Sequence, residues 1–340
     1  MKTELSVSST TTLTTTQARL QKYIELGLKG SKNTQRGYKS DLNQFQQWCQ
    51  LHGVAHLPCE SLHLCEYLDE LVSNNNKWAT IQRALNAIRK GHKLAGKPFP
   101  DDELLQSVLT GIKRTIGVKQ KKAPAFRAEA FGELLDKFDV DNPVEVRDKC
   151  LLLIGFMGAF RRSELVAINY SHLRKTPEGL IIEIPRSKTN QTGEEQYKAI
   201  FYNDDEPNRC PVRAYENWTA HQQIMTHTEY GLWPGASYAG QLRETHPLFV
   251  SFRRGVKPGE VRITDKRLWD GSVGLILKQY MGDNFSAHSL RASFVTVSKR
   301  QGADDSSIMR QTGHKSAKMI ERYTRLDSIV EHNAASTLKL

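Results

Sequence analysis

At 340 residues, 39% hydrophobic and 25% charged, the chain is long enough for two ordinary domains with cores of their own, and its mean hydropathy of −0.53 is that of a globular protein in water. No run approaches the roughly 20 apolar residues of a membrane span and no signal-type apolar segment stands near residue 1, so the expected home is the cytoplasm. Five cysteines, Cys49, Cys59, Cys65, Cys150 and Cys210, are odd in number and lack Cys-x-x-Cys spacing, which argues against a disulfide framework or a zinc site.

The formal net charge of +11 is unevenly spread. Residues 1–123 carry 18 Lys and Arg against 10 Asp and Glu, an excess of 8, whereas 124–340 carry 30 against 27, an excess of 3. A basic excess concentrated in the first third is better explained by phosphate contacts than by solubility alone.

Residues 1–16 form a Ser/Thr-rich tail, too poor in large apolar groups to fold. From 17 to 116 the pattern predicts helix after helix. Leu20, Ile24 and Leu28 line the first; Tyr38, Leu42, Phe45 and Cys49 the second; Leu62, Cys65, Leu68 and Val72 the third; Trp78, Ile81, Leu85, Ile88 and His92 the fourth. A fifth follows Asp101 and Asp102. The second and fourth present Gln35, Arg36 and Lys39, and Gln82, Arg83, Asn86, Arg89 and Lys90, on polar faces that suit phosphate clamping and base-edge reading in a major groove.

Residues 112–127 hold Lys113, Arg114, Lys119, Lys121, Lys122 and Arg127 without an acidic residue, and 117–127 reads as a basic linker that can track a phosphate backbone. Asp148 to Phe156 reads as a buried helix leading to Gly158-Ala159-Phe160-Arg161-Arg162-Ser163-Glu164-Leu165. Residues 179–185 and 197–202 are β-rich runs joined by a polar turn that contains Lys188. Cys210-Pro211 opens a helix, and Pro247-Leu248-Phe249-Val250 reads as scaffold.

Near the end, Ser286 caps a helix over about 287–300 that puts His288 and Arg291 in its first turn. Asp304 or Asp305 caps a short helix that Gly313 ends, His314 follows, and Ser316 caps a third helix carrying Met319, Ile320 and Tyr323. Histidines and an arginine at helix ends are well placed to hold an anion, and a tyrosine beyond them is a potential oxygen nucleophile.

In this order, His288-x-x-Arg291, Gly313-His314 and Tyr323, preceded by Arg161 before Ser163-Glu164-Leu165, resemble the signature of the tyrosine recombinases, the phage-integrase and Cre-like family of site-specific DNA recombinases. The commonest form of the earlier motif is Gly-x-Arg-x-Ser-Glu-Leu; here one residue more separates Gly158 from Arg161. The resemblance implies a mainly α fold with a small β-sheet. An N-terminal all-α core-binding domain (17–116) would join a C-terminal mixed α/β catalytic domain (128–326), the two forming a C-shaped DNA clamp.

It also implies the chemistry: double-stranded DNA cut and rejoined through a 3′-phosphotyrosyl intermediate on Tyr323, without metal or nucleotide cofactor. Arg161 and Arg291 would hold the nonbridging oxygens, since guanidinium stays charged and matches phosphate. His288 and His314 would handle protons or donate to phosphate, and Lys188 would enter the minor groove as general acid. Glu164, one helical turn from Arg161, would orient that arginine or the histidines. Arg36, Lys39, Arg83, Arg89, Lys121 and Lys122 would contact DNA at inverted repeats flanking a spacer, and residues 327–340, with Ile329 and Val330, would dock on a neighbouring protomer to build a homotetramer. Two rivals are weaker: a type IB topoisomerase or telomere resolvase, which the two-domain build and the Gly-His disfavour, and a non-catalytic DNA-binding regulator, which the full set of six residues disfavours.

Overall fold

A computed structural model of the protein describes residues 32–118, 123–184, 195–227, 244–254 and 261–321. The tail over 1–16 and the first expected helix, with Leu20, Ile24 and Leu28, lie outside the described residues. The chain divides into two compact units, Met1–Lys121 and Lys122–Leu340.

In the first unit the helical periods become Lys32–Leu51 (α1), Ser61–Ser73 (α2), Trp78–Leu94 (α3) and Glu103–Ile116 (α4). Phe45, Cys49, Cys65, Leu68, Ile81, Leu85 and Ile88 all join one apolar core, as their spacing predicts. Leu62 does not: it is 55% exposed, and the buried face of α2 runs through Leu64, Tyr67, Leu68 and Leu71 instead. α1 lies against α3 and α2 against α4. The first contact is close because Gly91 has no side chain; a Cβ there would stand 3.1 Å from Leu42 Cδ2. Asp102 caps α4 by accepting from the Leu105 N–H at 3.0 Å. Lys113 and Arg114, read with the linker, ride in the last turn of α4, where positive charge meets the carbonyl end of the helix dipole. His92 is buried, accepts from the Cys59 N–H at 3.1 Å through Nε2 and donates through Nδ1 to the Ile88 carbonyl, so it serves the core.

The second unit contains Ala128–Leu135 (α5), Pro143–Met157 (α6), Arg162–Ala167 (α7), Pro211–His227 (α8), Ser272–Met281 (α9), Ala287–Arg300 (α10) and Asp305–Thr312 (α11). α6 is the expected buried helix, begun five residues earlier at Pro143 and capped by Asn142. Leu173–Thr176 (β1), Gly179–Glu183 (β2) and Tyr197–Phe201 (β3) make an antiparallel sheet in the order β1-β2-β3. β1 adds to the two β-rich runs expected. Gly179 permits the tight approach of β2 to β3, since a Cβ there would lie 2.0 Å from the Ile200 carbonyl oxygen. A second hairpin, Val250–Arg254 (β4) with Val261–Arg267 (β5), carries a register shift between Val250 and Phe252. Leu248, Phe249 and Val250 are fully buried, so that segment is indeed scaffold.

α6 is fixed at its start by a charged knot. Arg147 donates to Asp148 Oδ1 at 2.8 and 2.6 Å and to the Val250 carbonyl at 3.2 Å, while the Tyr280 hydroxyl donates to Asp148 Oδ2 at 3.2 Å. Both charged residues are buried, and burial raises the Asp148 carboxyl against the pull of Arg147. Breaking one side of such a pair strands the other charge. Arg147→Met is therefore expected to cost about 3–5 kcal/mol in urea unfolding; a loss below about 1 kcal/mol would mean that the knot is not a fastening.

Candidate active site

Ser286 starts α10 as its spacing predicts, its N–H donating to Ser289 Oγ at 3.1 Å. That start sets His288 at an exposed place in the first turn and turns Arg291, three residues on, into the interior at 1% exposure. Asp304 caps α11 by accepting from the Ser307 N–H at 2.9 Å, and Gly313 ends it in the left-handed conformation, φ 66°. The turn delivers His314 into the interior. Residues 317–321 then start the expected third helix, with Ile320 buried. Tyr323 and Lys188, like Lys121 and Lys122, lie outside the described residues.

Arg161 caps α7. Glu164, buried at 3% exposure, accepts from the Arg161 backbone N–H at 3.0 Å and from its guanidinium at 2.5 Å, which fixes that side chain. The neighbouring Arg162 instead pairs with Asp270 at 3.1 Å. The turn before Arg161 explains the spacing of the motif. Counted back from Arg161, the pattern's glycine falls on Ala159, and Ala159 has a φ of 47°. Alanine occupies a left-handed position that glycine would take without strain.

Arg291 reaches across to this turn. It donates to the Ala159 carbonyl at 2.8 Å and to the Thr312 carbonyl, joining the residues before Arg161 to those before His314. Thr312 Oγ1 lies 2.9 Å from His314 Nδ1 and 2.7 Å from the Ile308 carbonyl. A hydroxyl has one hydrogen. It goes to the Ile308 carbonyl, which can only accept, so His314 Nδ1–H donates to Oγ1, and Nε2 of the neutral ring carries no hydrogen and becomes a donor only when the ring is protonated.

The electrostatics are those of cations crowded together. Partial desolvation, then the charges of Arg291 and Arg161, hold His288 below the ordinary imidazole value. Burial, then Arg291, Arg161, His288 and Lys198, push His314 down to about 4. Among the described residues Glu164 is a buried carboxylate beside these cations, and a phosphodiester is an anion that such a group of cations suits. The structure thus brings together Arg161, His288, Arg291 and His314.

Two contributors escaped the sequence reading. Thr312 gave no signal beyond its place before Gly313. Lys198 sits on β3, buried at 3% exposure, and its signal was a lysine at an inward position between apolar neighbours. In the first unit Arg36 and Lys39 are exposed, Arg89 lies 4.7 Å over the Phe99 ring, and Arg83 is tied to buried Asp41 at 2.8 and 3.0 Å.

Residues 125–328 match the model of the phage integrase family, and residues 18–96 match its N-terminal SAM-like domain. The chain belongs to the phage integrase family, the tyrosine recombinases, enzymes that cleave and rejoin DNA. Within it the similarity runs to the Xer type. The chain is 33% identical to an integrase/recombinase XerD homologue of Selenomonas ruminantium over 94% of its own length and 92% of that protein's. It is 27% identical to tyrosine recombinase XerC of Syntrophus aciditrophicus, over 89% and 90%. Its fold matches that of the XerH site-specific recombinase in a post-cleavage complex with palindromic difH substrate, TM-score 0.56 at 18% identity, covering 82% of this chain and 72% of that one.

The depressed value of His314 has a consequence for stability. The folded state holds it at about 4 against 6.5 when free, so the unfolded chain binds the proton first and stability is lost as pH falls from 6.5 towards 4. The thermal midpoint of the wild type should fall relative to His314→Gln across that range. Midpoints that run parallel would show that the imidazole is not held neutral.

Proposed function

We propose that the protein is a site-specific recombinase that cuts and rejoins DNA through a 3′-phosphotyrosyl intermediate on Tyr323, acting in the cytoplasm as a tetramer on inverted repeats that flank a spacer. The observation that carries this reading is the convergence of Arg161, His288, Arg291 and His314 from three separated segments on one positively charged site. That arrangement supports binding of a scissile phosphodiester.

Arg161 and Arg291 then neutralise the nonbridging oxygens, and His314, protonated as the charge of the diester enters, donates to one of them through Nε2. The Tyr323 oxygen attacks phosphorus while its proton passes to His288, whose lowered value leaves the ring free to accept it at neutral pH. The P–O5′ bond breaks, and the departing oxygen takes a proton from Lys188. Rejoining is the reverse, with a 5′-hydroxyl from the partner duplex as nucleophile. The energy of the diester stays in the phosphotyrosyl bond. Arg36, Lys39, Arg83 and Arg89, with Lys121 and Lys122, supply phosphate contacts from the first unit and the linker, and residues 327–340 join neighbouring protomers.

A suitable substrate is a nicked suicide duplex built on the site that the wild-type protein selects from a randomised pool. Tyr323→Phe should bind this duplex and form no covalent adduct, as read on a denaturing gel. A persistent adduct in that variant would place the nucleophile on another tyrosine. Lys188→Ala should be slow on ordinary DNA and recover most of its rate on a bridging 5′-phosphorothiolate, whose sulfur leaves without protonation. Equal impairment on both substrates would limit Lys188 to holding DNA.

A further inference from the structure

We propose that Lys198 is a positioning residue of the phosphate site, its buried ammonium holding the turn that leads to Arg161 in register with the turn that leads to His314. Lys198 lies inward on β3 between exposed Tyr197 and half-buried Ala199, with Ile200 inward beyond. A lysine in that place is costly unless its N–H groups find acceptors. It donates to the Gly158 carbonyl at 2.6 Å and to the Gln311 carbonyl, and stands 4.8 Å over the Phe160 ring.

These carbonyls adjoin the pair that Arg291 grips. Arg291 takes Ala159 and Thr312; Lys198 takes Gly158 and Gln311. The Gln311 side chain closes the lattice by donating to the Met157 and Ala199 carbonyls at 2.9 and 3.0 Å. Arg291 must also face the phosphate, so a hold on both turns that does not depend on it keeps them fixed while it does. Lys198, buried beneath them, is suited to that work. Burial, Arg291 and Arg161 push it down to about 7, with Glu164 opposing, and amine and ammonium alike carry hydrogens for both carbonyls.

The inference rests on the recombinase reading, and the test separates the two. Full-length Lys198→Met and Lys198→Gln are compared with the wild type on the suicide duplex, made with ordinary and with bridging 5′-phosphorothiolate linkages, together with a gel shift and a melting curve. If Lys198 positions the site, both variants fold and bind within about twofold of wild type. Adduct formation should then slow roughly tenfold or more, equally on both linkages, because misplacing phosphate-directed groups by an ångström impairs chemistry and not binding. Adduct rates within about twofold of wild type overturn the proposal. So does rescue by the phosphorothiolate, which would make Lys198 a proton donor, and so does failure of both variants to fold, which would make it scaffold. A wild-type protein that forms no adduct would instead sink the recombinase reading, and the positioning role with it.

Discussion

Four backbone carbonyls, those of Gly158, Ala159, Gln311 and Thr312, hold two buried cations, and the arrangement of the candidate site follows from that grip. Carbonyl dipoles are the right counterpart here. They satisfy ammonium and guanidinium donors without adding a full negative charge, so the cluster stays receptive to an anion. Glu164 is the exception, and both its oxygens are engaged by Arg161, which leaves it an orienting group.

α6 carries this arrangement. At its start the Arg147–Asp148 knot ties it to β4 and to Tyr280 of α9; at its end the Met157 carbonyl accepts from Gln311, and the next two carbonyls accept from Lys198 and Arg291. Between these points it is apolar on nearly every side, from Cys150 to Phe156. A helix buried all round cannot roll to accommodate a neighbour, so the charged groups at its end inherit its fixed position.

Much of this was legible because local chemistry set it. Ser286, Asp304 and Gly313 mark helix ends whatever surrounds them, and they place His288, Arg291 and His314. Gly158-Ala159-Phe160-Arg161 could be aligned from Ser163-Glu164-Leu165, but only the backbone shows that Ala159 holds the left-handed place. Other features depend on distant partners. β1, β4 and β5 are short, with arginine and lysine at exposed positions, and they give no apolar run to read. Leu62 has the period of a core residue, yet it falls in the first turn of α2 and is left exposed. Lys198 looked like one polar residue in a β-rich run, because its acceptors lie 40 and 113 residues away.

Those separations bear on the order in which the protein comes into being. Arg291 and Ala159 are 132 residues apart, and the Phe126 N–H that anchors the start of the second unit donates to Ser293 Oγ, 167 residues on. During synthesis the chain therefore emerges with its basic first unit complete long before α10 exists. For that interval it is a protein with the means to attract nucleic acid and no assembled apparatus to cut it. The groups that converge on the candidate site cannot meet until α10 and α11 have left the ribosome.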